Sequence, residues 1–137
     1  MSDAPSAPDA EPRGHLSIRT VAMPADTNHY GDIFGGWLMA QMDLAGGTRA
    51  RQIAQCRVAT VAVNGFTFHK PVSVGDELSC YTELVRSGRT SLSIQVQAWV
   101  RRHRDEAIEK VTEGIFVFVA LDESGRPHPW HPDTRPA

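Results

Sequence analysis

Cysteine is scarce in this chain. Only Cys56 and Cys80 occur, and neither stands at metal-ligand spacing. That excludes a cysteine-built metal centre and leaves both thiols as small buried hydrophobes. Net charge is also small, at −2, so the strongly basic surface of a general nucleic-acid binder is missing. No apolar run approaches the roughly 18 residues that a membrane span needs. The opening residues are acidic and rich in Pro and Ala, without the hydrophobic stretch of a signal peptide. A cytoplasmic setting, with neither nucleic acid nor membrane as partner, is therefore expected. What is present is one domain's worth of chain: 137 residues, 41% of them hydrophobic, enough for a single core.

The chain is organised around one stretch, Asn28-His29-Tyr30-Gly31-Asp32-Ile33-Phe34-Gly35-Gly36-Trp37-Leu38-Met39-Ala40-Gln41-Met42-Asp43. Its glycines predict a tight loop. From Trp37 the apolar residues come so densely that a helix running to about Ala54 must lie inside the protein. Asp43 interrupts that run. A carboxylate there is either an edge residue that reaches solvent or an active-site acid facing a cleft. Gly46 and Gly47 each cost a helix on the order of 1 kcal/mol relative to Ala. They stand three and four residues after Asp43. They either leave space beside the carboxylate or let the helix pack closely on a strand.

Residues 1–13 read as a disordered leader. Residues 15–23 read as a strand, stopped by Pro24. Four further strands are expected after the helix, at 58–68, 77–86, 90–102 and 110–121. The third is clearest, with Leu92, Ile94, Val96, Ala98 and Val100 on one parity and polar residues on the other. The last is apolar on both parities, which predicts either cover on both faces or a place in a subunit interface. Residues 123–137, with four prolines and the pair His128 and His131, read as an irregular tail. Lacking a Cys or acid cluster, the two histidines do not suggest a metal site. The domain proper is then residues 14–122: strand, one long hydrophobic helix, four antiparallel strands. One helix is buried on all sides only if the sheet curls around it.

That outline, and the residues, resemble a known family. The run Met23-Pro24-Ala25-Asp26-Thr27-Asn28, then Gly31-Asp32-Ile33-Phe34-Gly35-Gly36-Trp37-Leu38-Met39 and Gln41-Met42-Asp43, is similar to the YciA-type acyl-CoA thioesterases of the hotdog-fold superfamily. So are Val61-Ala62-Val63, Phe66-Thr67-Phe68-His69-Lys70-Pro71-Val72, Val74-Gly75-Asp76 and Val85-Arg86-Ser87-Gly88-Arg89-Thr90-Ser91. The resemblance spans about 17–121. It implies an α+β hotdog fold, a curled antiparallel sheet of five to six strands around one helix. It also implies hydrolysis of acyl-CoA without a cofactor, since coenzyme A arrives as part of the substrate.

Thioester hydrolysis needs an activated water and donors for a developing oxyanion. A helix N-terminus offers free N–H groups and partial positive charge. Gly35, with Gly36, is therefore the candidate oxyanion donor. Asp43 lies about 10–12 Å further along the helix axis and cannot meet the same carbonyl within one chain. The resemblance implies a site shared across a homodimer, and a trimer of such dimers. There Asp43 would serve as general base or nucleophile, and Asn28 would orient water or bind the thioester. On spacing alone Asn28 reads as an N-cap or turn-forming residue, and it is the resemblance that favours the site role. The turn of Arg86, Ser87, Gly88, Arg89, Thr90 and Ser91 suits a phosphate, or is a solvated hairpin tip. His69 and Lys70 are expected in structural or substrate-contact roles. Two other classes fit the same outline. A hotdog hydratase or dehydratase would want a His–acid pair near the helix start, where only His29 and Asp32 stand. A non-catalytic acyl-CoA-binding module would have no need of Asp43.

Overall fold

The computed structural model describes residues 11–131. Strand β1 (His15–Val21) leads through a short 3-10 turn (Pro24–Asp26) and the glycine loop into helix α1 (Gly35–Ala54). Strands β2 (Arg57–Phe68), β3 (Glu77–Ser87), β4 (Ser91–Arg101) and β5 (Ile108–Leu121) follow. All five sequence-expected strands and the helix are there, with ends shifted by a residue or two. The sheet has the order β1-β3-β4-β5-β2, antiparallel throughout. β3, β4 and β5 form a meander. β2 instead lies at the far edge, and the chain crosses back from it to β3.

The period of two does what it must in a half-covered sheet. Leu92, Ile94, Val96, Ala98 and Val100 of β4 face α1 and are buried, as are Phe116, Phe118 and Ala120 of β5. The helix meets them with Leu38, Met42, Ala45, Gly46, Ala50 and Ala54. Gly46 takes the close-packing role: a Cβ on it would lie 3.1 Å from the Phe118 ring and 3.3 Å from Val96. The two glycines therefore do not open space beside Asp43.

The apolar residues on both parities of β5 do not place it at an edge of the sheet. It runs between β4 and β2, and Ile115, Val117 and Val119 form a half-covered outer face while Phe116 and Phe118 point inward. The two edges are β1 and β2, and β2 is the edge beside Asp43. The expected burial of α1 on all sides does need correction. Five strands of one chain cover only part of its circumference, and Leu44, 58% exposed, lies on the open side with Met39.

At the end of the sheet where α1 begins stands an ionic network centred on the buried pair Arg102 and Asp76. Arg102 donates from Nη1 to Asp76 (2.8 Å) and to the carbonyl of Pro71 (2.8 Å), and from Nε to Glu109 (2.6 Å). Lys70 donates to the same Glu109 at 2.6 Å. Asp76 also accepts the backbone N–H groups of Ser73 and His103. The group ties the end of β4 to the turn before β3 and to the start of β5. Burying charge is tolerable here because every partner is satisfied. Cys80, on the inner face of β3, is fully buried, and burial pushes its thiol up to about 12.

The part of the tail that the structure describes is irregular, as expected, but not loose. Asp122 caps a turn through the N–H groups of Ser124 and Arg126. Trp130 is 5% exposed and joins the core. Residues 1–10 of the expected leader and 132–137 of the tail lie outside the described residues.

The network dictates an acid response. Hydrogen bonds from Lys70 and then Arg102 hold the Glu109 carboxyl down to about 2, from an ordinary 4.5. Asp76 is also held below its ordinary value: burial opposes this, but the N–H groups of Ser73 and His103 and the Arg102 guanidinium prevail. A depressed carboxyl stabilises the fold above its unfolded pKa and loses that contribution as pH falls through the folded one. Thermal stability should therefore drop between about pH 4.5 and pH 2. Glu109→Gln should flatten that drop in calorimetric melts, and an unchanged slope would mean that the acid sensitivity lies elsewhere.

Candidate active site

The loop before α1 is built around Asn28. Its Oδ1 accepts the N–H of Tyr30 at 2.9 Å and of Asp32 at 3.1 Å. Its backbone N–H donates to the carbonyl of Asp32, and its own carbonyl accepts from Gly31, which sits at φ +87°. The turn-forming role is therefore real. Among the described residues, however, Asn28 Nδ2 has no hydrogen-bond partner, so one donor remains for a ligand.

The loop delivers the chain to α1 with Phe34 at the cap and no side chain bonding the first turn. The leading N–H groups, with Gly35 and Gly36 among them, are thus available. The two glycines face different surroundings. Gly35 packs on Phe68 and borders a recess of about 260 Å³ with Leu38, Lys70 and Val72. Gly36 has open space where a Cβ would stand. It shares an apolar groove of about 380 Å³ with Met39, Ala40, Asp43, Thr60 and Val63.

Asp43 is half-buried on the floor of that groove. Thr60, on the edge strand β2, donates from Oγ1 to Asp43 Oδ1 at 2.7 Å. The β2–β5 register shifts between Thr60 and Ala62, which re-aims the β2 side chains at this point. The second carboxylate oxygen has no partner among the described residues. An acceptor fixed by one hydroxyl and open at the other oxygen is equipped to take a proton from water. Sequence reading missed Thr60. A single hydroxyl in an apolar strand carries no spacing signal, and only the fold brings it to Asp43.

The other candidates divide between the two ends of the sheet. His69 and Lys70 end β2 near the start of α1. His69 lies 3.2 Å from Glu113, and Lys70, bonded to Glu109, also lines the recess beside Gly35. The turn of Arg86, Ser87, Gly88, Arg89, Thr90 and Ser91 is the β3–β4 hairpin tip. Ser91 pairs with Val119, which pairs with Ala59 at the opposite end of β2. One chain therefore does not bring this turn to Asn28 or Gly35. Arg86 and Arg89 are exposed there. Among the described residues no three His, Cys, Asp or Glu side chains cluster as metal ligands, and no helix is long and apolar enough to cross a membrane. His131 instead lies 2.9 Å from the carbonyl of Gly88.

Comparison with known proteins gives a consistent result. The family model of the Thioesterase superfamily matches residues 30–107. The acyl-CoA thioester hydrolase YciA of Salmonella typhimurium is 52% identical over 124 residues, 88% of this chain and 93% of that protein. A hexameric thioesterase from Yersinia pestis superposes with a TM-score of 0.85 at 48% identity, over 88% of this chain and 98% of its own. A hexameric broad-specificity acyl-coenzyme A thioesterase superposes with a TM-score of 0.85 at 44% identity, over 90% of this chain and 86% of its own.

The two uses of Asn28 are separable. Asn28→Ala removes the acceptor that closes the loop and should speed hydrogen exchange at the amides of Tyr30 and Asp32 by roughly two- to tenfold, as for one lost hydrogen bond. Asn28→Asp keeps that acceptor and should leave both amides protected while removing the Nδ2 donor. Equal exchange in the two variants would mean that the side chain does not hold the loop.

Proposed function

The chain belongs to the thioesterase superfamily, among its YciA-type acyl-CoA thioester hydrolases, and from that premise we propose how its residues share the reaction. It is an enzyme of the hotdog fold that hydrolyses acyl-CoA, releasing a carboxylic acid and coenzyme A. The observation that carries the residue assignment is the Asp43 carboxylate, held at one oxygen by Thr60 on the floor of an apolar groove.

In our reading Asp43 is the general base. Water bound at its free oxygen attacks the thioester carbonyl carbon as Asp43 takes the proton. Negative charge gathers on the carbonyl oxygen, against the N–H groups of Gly35 and Gly36 at the positive end of α1. The tetrahedral adduct collapses with cleavage of the C–S bond, and the proton passes from Asp43 to the departing thiolate. The hydroxyl of Thr60 fixes the orientation of the carboxylate through Oδ1 and leaves the other oxygen for water. Asn28 Nδ2 orients the water or the thioester. The only co-reactant is water, so the scheme calls for no cofactor.

Gly35 and Asp43 are eight residues apart on one helix, about 12 Å along its axis. We infer that they act on one carbonyl only by coming from two chains. The free edge of β2 is the surface for such a pairing. Val61 on it is 57% exposed, and Met39 and Leu44 of α1 are exposed as well. A homodimer is then the minimal unit, and a trimer of dimers accords with the hexameric relatives. Arg86 and Arg89, with Ser87, Gly88, Thr90 and Ser91, take the phosphates of coenzyme A. Lys70 and His69 border the acyl end. The free thiols of Cys56 and Cys80 accord with a reducing cytoplasm.

Asp43→Asn is expected to lower kcat by a factor on the order of 10² to 10⁴, measured by release of free thiol. Thr60→Val, which removes a hydrogen bond to a charged group, should lower it by about ten- to a hundredfold. Near-full turnover in Asp43→Asn would remove it as the base. Sharing of the site is tested by refolding Asn28→Ala and Asp43→Ala together. Random pairing makes half the dimers mixed, and each mixed dimer has one intact site, so about a quarter of all sites should recover. Exchange without recovery would place both residues in one chain's own site.

A further inference from the structure

The hairpin tip at residues 88–91 is closed by the Gly88 N–H donating to the Ser91 carbonyl at 2.9 Å, and the tail braces it from outside. His131 Nε2 meets the carbonyl of Gly88 at 2.9 Å. The backbone N–H of Trp130 donates to the carbonyl of Arg89 at 3.4 Å, and its indole N–H to that of Ser91 at 2.9 Å. The N–H of Ala120 takes the remaining carbonyl, of Thr90, at 2.8 Å. Trp130 is anchored in the core, and the His131 ring stacks on it at 4.2 Å. The carbonyls of Gly88, Arg89 and Thr90 are thus drawn toward the tail or β5, while that of Ser91 is shared between the Gly88 N–H and the Trp130 indole.

In a planar trans peptide the N–H points opposite to the carbonyl of the same unit. Drawing in the carbonyls of Gly88 and Arg89 turns the next two N–H groups, of Arg89 and Thr90, outward. Neither has a hydrogen-bond partner among the described residues. Two successive outward N–H groups, flanked by exposed guanidinium groups and with carbonyl dipoles turned away, form an anion-binding concavity.

We propose that residues 127–131 are a positioning element for this site: Trp130 and His131 set the tip in its phosphate-accepting form and so help the enzyme select full coenzyme A esters. The proposal rests on the reading of the 86–91 turn as the phosphate site. Contacts far from the reacting carbon support ground and transition states alike, so their loss falls on KM rather than kcat.

The test compares wild type, Arg89→Ala, Trp130→Phe and His131→Ala on an acyl-CoA and on the S-acyl pantetheine carrying the same acyl group. Trp130→Phe keeps the buried ring while deleting the indole donor, and His131 is only half-buried, so both variants should fold; melting curves check this. Expected is a KM for acyl-CoA raised roughly two- to tenfold in each tail variant, with kcat within about twofold and the pantetheine ester unaffected. If Arg89→Ala separates the two substrates and the tail variants do not, the tail has no positioning role. If the tail variants weaken both substrates alike, they act on the fold alone and the proposal falls. If Arg89→Ala itself fails to separate the substrates, the phosphate reading of the turn falls, and the role of the tail with it.

Discussion

The contact on which the rest depends is the one between Gly46 and the sheet. A missing side chain lets α1 settle against the Phe118 ring and Val96, at a distance that a Cβ would hardly permit. Asp43, three residues earlier, is thereby brought to the β2 side, within hydrogen-bond reach of Thr60. Ala in place of Gly46 would require the Phe118 ring, the Val96 methyl or the helix to give by a few tenths of an ångström, and any such shift of the helix acts directly on a 2.7 Å bond. The helix cost of two interior glycines is accepted for the position of one carboxylate.

The second organising fact is that five strands do not enclose a helix. The open side of α1 and the free edge of β2 are contiguous, and the Asp43 groove lies along their seam. On the proposal of a shared site, completing the cover of the helix and completing that site are one event. The ionic network around Arg102 works at the other end of this arrangement. It locks the start of β5 and the turn before β3, and it presents Lys70 beside Gly35.

Much of this was readable from residues alone, and the parts that were not share a cause. Alternation in β4 and density of apolar residues in α1 are local signals, and both elements appear where they point. Asp43 betrayed itself as a charge in an apolar run. Thr60 did not, because its partner is 17 residues away and the register shift that aims it is a property of the β2–β5 pairing. The edge position of β2 was likewise hidden, since apolar parity in β5 says that a strand is covered, not by which neighbour. Trp130, among prolines, has no periodicity at all, yet a single buried ring anchors the tail.

The burial of Cys80 has a consequence for an enzyme of this kind. Each turnover liberates a thiol, and the site is bathed in a product that readily exchanges into disulfides. Exchange proceeds through thiolate, and a group pushed up to about 12 supplies almost none at neutral pH. Cys80 is thus kept out of mixed-disulfide traffic with the coenzyme. In a colorimetric thiol-trapping assay the native enzyme would draw no slow background from it, so the measured colour would follow product alone at that residue.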